Sequence, residues 1–164
     1  MDTQTKARFT KEVASKKINV VKDLDADIKK VWAAYTDRKT LDRWWAPKPW
    51  RAETKELDFK EGGHWLYAMV GPNGEHQWAK MDFEQIREPY QFTAIDSFTD
   101  EKGTRDKNMP SMHWSNSFEK KGDGTRLTVE IIFDKEEDMK KILDTGFEQG
   151  FQMGLENLDE LLSK

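Results

Sequence analysis

No cysteine occurs among the 164 residues, which excludes disulfides, a thiol nucleophile and thiolate metal ligands. Histidine is scarce too. His64, His76 and His113 form no His-x-x-x-His or Glu-x-x-His pair on a helix. Also missing are a Gly-x-Ser-x-Gly elbow, a phosphate loop and a dinucleotide fingerprint, so no metal, nucleotide or covalent cofactor is expected. No apolar run approaches the ~20 residues of a membrane span, and Met1 to Thr10 lacks the apolar stretch of a secretory signal. A cytoplasmic protein is the default expectation. Nor does one sign of charge dominate: 27 Lys and Arg stand against 31 Asp and Glu, a formal charge of −4. The charges are interspersed, so no electrostatic footprint for nucleic acid or anionic lipid exists. Lys6, Arg8, Lys11, Lys16, Lys17 and Lys22 read as a solvated arm, and nothing sets an oligomeric state.

What the chain does have is tryptophan, seven in all. Trp44-Trp45-Ala46-Pro47 is followed, one strand's worth of chain later, by Gly62-Gly63-His64-Trp65. Large aromatics at fixed distances from helix stops and turn glycines mark a specific concave core. A first strand is expected over 18–24, after which Asp25 can cap a helix whose Ile28, Val31, Trp32 and Tyr35 share one face. Asp37 can cap a second short helix, with Leu41, Trp44 and Trp45 inward, ended by Pro47 and Pro49. Adjacent residues on a helix diverge by ~100°, so one of the two tryptophans points into the core, assigned as Trp45, and the other covers the rim.

From Trp50 onward the period changes to two. Strands are expected over 51–58, 64–70, 76–86, 90–98, 112–119 and 125–133, between turn signals at Gly62-Gly63, Pro72-Asn73-Gly74, Glu88-Pro89 and Gly122-Asp123-Gly124. Tight connections imply antiparallel neighbours. The long polar connection 99–110 suits a surface loop or flexible lid. Alternation places Trp65, Tyr67, Met69, Met81, Phe83, Phe92, Ala94, Asp96, Phe98, Met112, Trp114, Asn116, Phe118, Leu127, Val129, Ile131 and Phe133 on one aromatic-rich face. Asp82 and Glu84 have the opposite parity and read as solvated.

A sheet with one apolar face needs a cover. The remaining segment, capped by Asp134 with Glu137 three residues on, reads as one helix to Leu162. Leu143, Phe147, Gly150, Gly154, Leu158 and Leu161 fall in one stripe. Gly146, Gly150 and Gly154 repeat every four residues, although each glycine costs ~1 kcal/mol relative to alanine inside a helix. Either the helix backbone presses on bulky sheet aromatics, or the missing side chains leave room for a ligand.

Several local motifs, in this order and spacing, resemble the Hsp-90 ATPase activator homologue-like family in its single-domain bacterial form. They are Val31-Trp32, Thr36-Asp37, Leu41 with Trp44-Trp45-Ala46-Pro47, Gly62-Gly63 before Trp65, Pro72-Asn73-Gly74, Phe83-Glu84 with Ile86 and Pro89, Phe118-Glu119, Thr125-Arg126-Leu127-Thr128 and Glu148-Gln149-Gly150-Phe151. That family lies within the START-like superfamily, also called SRPBCC or Bet v-like. The resemblance implies an α+β helix-grip fold over 18–164: a curved antiparallel seven-stranded sheet, two short helices after the first strand, and a long C-terminal helix across the concave face. Residues 1–17 are expected to be an N-terminal extension. It further implies a cavity between sheet and helix that holds an apolar or amphipathic small molecule, with an Hsp-90 chaperone as an alternative partner.

The pocket is accordingly assigned to Tyr35, Trp45, Trp65, Tyr67, Met69, Met81, Phe83, Phe92, Asp96, Phe98, Met112, Trp114, Asn116, Phe118, Phe147, Gly150, Phe151 and Gly154. An enzyme of cyclase-like or hydrolytic type is the third reading. Its acid or base would be Asp96, with Asn116 and Tyr67 beside it, since a buried Asp without a charged partner has a raised pKa.

Overall fold

The computed structural model describes residues 6–163; the first five positions of the expected extension and the last position of the expected domain lie outside them. Twelve elements follow in order: β1 (Arg8–Glu12), β2 (Lys17–Leu24), α1 (Ile28–Thr36), α2 (Arg38–Trp44), β3 (Arg51–Leu57), β4 (His64–Val70), β5 (His76–Arg87), β6 (Gln91–Thr99), β7 (Met112–Lys121), β8 (Gly124–Ile132), α3 (Glu136–Asp144) and α4 (Phe147–Leu162). The strands form one antiparallel sheet in the order β1-β2-β8-β7-β6-β5-β4-β3. It therefore has eight strands, not seven. The additional strand, β1, lies inside the segment assigned to the extension and pairs with β2 from Arg8↔Val21 to Glu12↔Lys17.

Local chemistry explains the helices. Asp27, rather than Asp25, caps α1 and accepts from the Lys30 amide at 2.9 Å. Asp37 caps α2 as expected, accepting from both the amide and the hydroxyl of Thr40. The C-terminal cover is two helices, because Gly146 adopts φ 87° between them. That left-handed conformation is open to glycine at little cost and ends a right-handed helix. Nor does Asp134 cap α3: its N-cap is Lys135, without a side-chain bond, and Glu136, Glu137 and Asp138 instead place negative charge on the first turn, where the helix dipole favours it.

The core lies between the concave sheet face and the helices. Ile18, Val20, Leu24, Leu127, Val129 and Ile131 are fully or almost fully buried there. Lys22 shares their parity and pairs with Asp159 of α4, so a buried ion pair joins helix to sheet. The long connection after β6 is tied to the sheet near its start and to α3 further along. Its Gly103 stacks beside Leu66 and Lys80, Lys55 donates to the Glu101 carbonyl at 2.9 Å, and further along Lys141 of α3 donates to the Asn108 carbonyl at 2.7 Å. No helix among the described residues is long and apolar enough to cross a membrane.

Candidate functional site

Strand register builds the site. Trp65 of β4 stands opposite Met81 of β5, which stands opposite Asp96 of β6, which stands opposite Met112 of β7. The next rung runs Phe83, Ala94, Trp114 and Ile131, and the one after it holds Phe92, Asn116 and Val129. Alternation thus delivers the expected side chains to one face, where all of these are buried.

Their rings form two groups. In the first, Trp65 stacks on Tyr67 with centroids 4.0 Å apart, Trp45 meets Trp65 at 5.2 Å and Trp114 at 5.9 Å, and Phe151 meets Trp114 at 5.4 Å and stacks on Phe147 at 5.7 Å. In the second, Tyr35 meets Phe118 at 5.1 Å and Phe92 at 6.0 Å, and Phe92 lies 5.9 Å from Phe83. Trp32 and Phe59, which the sequence reading left out of the site, complete this second group by packing on Phe92. Met69, Phe98, Phe147 and Gly150 are partly exposed.

Neither Trp44 nor Trp45 sits on an exposed rim, because α2 is covered on two sides. Trp44 is fully buried against α1, donating from Nε1 to the Ala34 carbonyl at 2.9 Å. Trp45 turns to the sheet and donates to the Tyr67 hydroxyl at 3.1 Å. Within the glycine stripe, a β-carbon on Gly146 would meet nothing within 4 Å, whereas Gly150 and Gly154 meet neither the sheet aromatics nor an open space. A β-carbon on Gly154 would stand 3.0 Å from the Trp45 carbonyl oxygen and 3.5 Å from that of Trp44; one on Gly150 would touch only Pro47, at 3.7 Å. Small residues here let α4 lie against the carbonyl end of α2.

Polar atoms in this interior are unevenly satisfied. Trp65 donates to the Thr54 hydroxyl at 3.0 Å, and Thr54 in turn donates to Asp42 at 2.6 Å. By contrast Tyr35 Oη, Asp96 Oδ1, Trp114 Nε1 and both amide atoms of Asn116 are buried without a hydrogen-bond partner. Burial pushes the Asp96 carboxyl up to about 7; the Ser97 amide opposes this and the Asp82 charge adds to it. Burial also holds the Tyr67 hydroxyl well above its ordinary value, aided by the Asp96 charge and opposed by the Trp45 N–H. Tyr35 is raised by burial alone. The three histidines stay apart. His64 contacts Glu56, His76 the Gly74 carbonyl and His113 lies 3.5 Å from Asp134.

Comparison with known proteins gives a consistent relationship. The family model described as Activator of Hsp90 ATPase homolog 1-like protein matches residues 25–163. A protein from Arthrobacter aurescens, with a structure solved by solution NMR, is 33% identical; the match covers 97% of this chain and 92% of that one with a TM-score of 0.92. A crystal structure from Mycobacterium smegmatis is 24% identical with coverages of 96% and 97% and a TM-score of 0.89. The AHSA1 protein from Silicibacter pomeroyi is 19% identical with coverages of 90% and 97% and a TM-score of 0.70. These last two show likeness of fold alone. No curated protein matches the chain.

Proposed function

This chain belongs to the Activator of Hsp90 ATPase homolog 1-like family, and we propose that here the fold binds an apolar or amphipathic small molecule between the sheet and α4. One observation carries the reading: an aromatic interior that buries Tyr35 Oη, Asp96 Oδ1, Trp114 Nε1 and the Asn116 amide with no protein partner. Nearly all buried polar groups in folded proteins are hydrogen-bonded, to the protein or to ordered water. An occupant that supplies these bonds and leaves its apolar body against Trp45, Trp65, Met81 and Phe151 fits this setting, and site residues of that kind are the usual lining of small-molecule pockets. Met69, Phe98 and Phe147, partly exposed at the ends of their elements, are assigned to the entrance. The reading places the protein in the cytoplasm and requires no metal or nucleotide.

Native mass spectrometry of the purified protein, together with titration of apolar probes followed by tryptophan emission, tests this. A copurifying small molecule or a saturable emission change supports the reading. Neither, across a broad probe panel, overturns it.

The family description favours a second reading, action on an Hsp-90 ATPase. That activity would use the outer surface, where the exposed large apolar side chains are scattered: Val13 and Tyr90 in turns, Ile132 on β8 and Met153 on α4. The test is direct: the ATPase rate of the cognate Hsp-90 changes on adding the protein, or this reading fails.

A further inference from the structure

Behind the second aromatic group, on the outside of the molecule, lies a cleft. It encloses about 760 Å³ between α1 and the β5–β6 turn, within the ~300–1,000 Å³ usual for small-molecule sites. Lys29, Trp32, Ala33 and Thr36 line it from α1, at spacings of three, four and seven that put them on one helical face. Seven residues at ~1.5 Å each make that wall ~10 Å long, room for a two-ring molecule. The rest of the lining is Phe59 from the β3–β4 connection and Glu88 and Pro89 from the β5–β6 turn. Trp32 is the floor, its ring packed on Phe59 at 5.6 Å, Phe92 at 5.9 Å and Phe118 at 5.4 Å. No residue of α4 lines the cleft, so it is separate from the space between sheet and α4.

The polar groups at this cleft are unused by the fold. Trp32 is only 5% exposed, yet among the described residues its ring N–H is given to no protein atom. Nor is that N–H one of the fully buried atoms without a partner, so it reaches the outside, and the cleft is the opening that Trp32 lines. Trp44, Trp45 and Trp65 differ, since each gives its N–H to a protein oxygen. Lys29, three residues before Trp32, is exposed and, among the described residues, joins no ion pair or side-chain hydrogen bond; the same holds for Glu88. Thr36 turns its hydroxyl back onto the Trp32 carbonyl at 3.0 Å, which leaves Lys29 and Trp32 as the free donors of this wall. An ammonium and an indole N–H can only donate. Helical residues three apart stand ~5–6 Å apart at Cβ, and the flexible four-carbon stem of lysine lets its head swing towards the neighbouring ring. One carboxylate, with an oxygen for each, can accept from both.

We infer that the cleft is a second binding site, outside the one proposed above, for an apolar monocarboxylate. The carboxylate binds to Lys29 and the Trp32 N–H, and the apolar body rests on Ala33, Phe59 and Pro89. One cation with one indole N–H matches a single negative charge, and the carboxylate of Glu88, reaching the cleft from the other side chain cluster, disfavours a second. An amine head group would face two donors that it cannot satisfy. Because Lys29 lies at the surface, its charge adds a modest preference, whereas the nearly buried N–H of Trp32 adds direction.

The test uses four probes with one ring system: 2-naphthoate, 2-naphthamide, 2-naphthylmethylamine and 2,6-naphthalenedicarboxylate. Each is titrated at neutral pH into the isotopically labelled whole protein, and NMR follows the backbone amides and the indole N–H signals. 2-Naphthoate is expected to bind about three- to tenfold tighter than 2-naphthamide, the reach of a partly solvated charge-assisted contact. It moves the Trp32 indole signal most and leaves those of Trp45 and Trp65 in place. The amine and the dicarboxylate bind more weakly. Lys29→Gln, a change at an exposed position, brings 2-naphthoate down to the level of 2-naphthamide, and Glu88→Gln raises the dicarboxylate towards 2-naphthoate. Ala33→Leu fills the wall from an exposed helical position and weakens all four probes in a protein that still melts cooperatively. A 2-naphthoate no tighter than 2-naphthamide, or a preference that survives Lys29→Gln, overturns the carboxylate assignment. Tightest binding of the amine or the dicarboxylate overturns the single negative charge. Shifts at Trp45 and Trp65 with Trp32 unmoved overturn this site while supporting the one between sheet and α4. Failure of all four probes to shift any signal overturns this site and leaves the reading above to its own test.

Discussion

Asp96 is the residue at which burial, charge and function meet. Unfolded, its carboxyl titrates near ~3.9; folded, burial holds it at about 7. Below the unfolded value both states keep the proton and the group is neutral in stability. As pH rises from there the unfolded chain releases the proton first, so stability falls through this window and the loss is complete above the folded value. Asp82 is the charged neighbour that adds to this shift, and the Tyr67 hydroxyl stays protonated throughout. Asp96→Asn removes the titration at nearly constant volume. Urea midpoints of the variant are expected to fall less steeply between pH 4 and 7 than those of the parent, giving it an advantage on the order of 4 kcal/mol at pH 8, since the unfolded and folded values stand about three pH units apart at ~1.4 kcal/mol each. A parent and variant with parallel pH profiles would show that Asp96 is ionised at its ordinary value. The inward parity of Asp96, Trp114 and Asn116 was legible from strict alternation, because a period of two assigns faces without knowledge of neighbours. That Trp65 finds Thr54 while Trp114 finds nothing was not legible, since it depends on which strands lie side by side.

The helices show what spacing conceals. Gly146, Gly150 and Gly154 share a repeat of four and look equivalent, yet each does something different: a left-handed break, a loose contact with Pro47, and a tight approach to the carbonyls of Trp44 and Trp45. A glycine ending a helix is a familiar stop, but here it was absorbed into a stripe that continued beyond it. The differences predict opposite outcomes along one helix. Gly150→Ala should raise the melting temperature by about 2–4 °C, since it gains up to ~1 kcal/mol of helix propensity with no clash. Gly154→Leu has to displace a helix carbonyl and should lower stability by ~1–3 kcal/mol, the usual cost of overpacking. Thermal melts of the two single variants suffice; a Gly154→Leu protein as stable as its parent would contradict the close approach. Strands separate in the same way. Seven were legible from alternation bounded by glycine and proline turns, with ends shifted by a residue or two. β1 was not, because Arg8–Glu12 holds Phe9 as its one large apolar residue among charges, and four of its five residues are exposed.

For the molecule as a whole, β1 matters more than its composition suggests. It supplies the last rung of the sheet, rests the Phe9 ring 6.3 Å from Phe151 and brings Lys11 to Glu148 of α4. Removing residues 1–12 would expose the β2 edge, a template for pairing with another chain. The shortened protein is expected to melt several degrees lower and to self-associate beyond its parent in light scattering; an unchanged association state and equal stability would reduce β1 to an ornament of the fold. One further property follows from how α4 meets α2. Besides the contact at Gly154, Asn157 donates from Nδ2 to the Ala46 carbonyl at 3.1 Å, so the Trp44–Ala46 turn is held from outside its own seven-residue helix. Amide groups of this turn and of the facing turns of α4 should then exchange with deuterium as one cooperative unit, slower than α3 beyond the Gly146 break. Separate rates for the two segments would show that they open independently. With a common rate, admitting a molecule to the aromatic interior and partly unfolding the protein are the same excursion, and occupancy will be controlled by how often the native state breathes rather than by the width of a standing door.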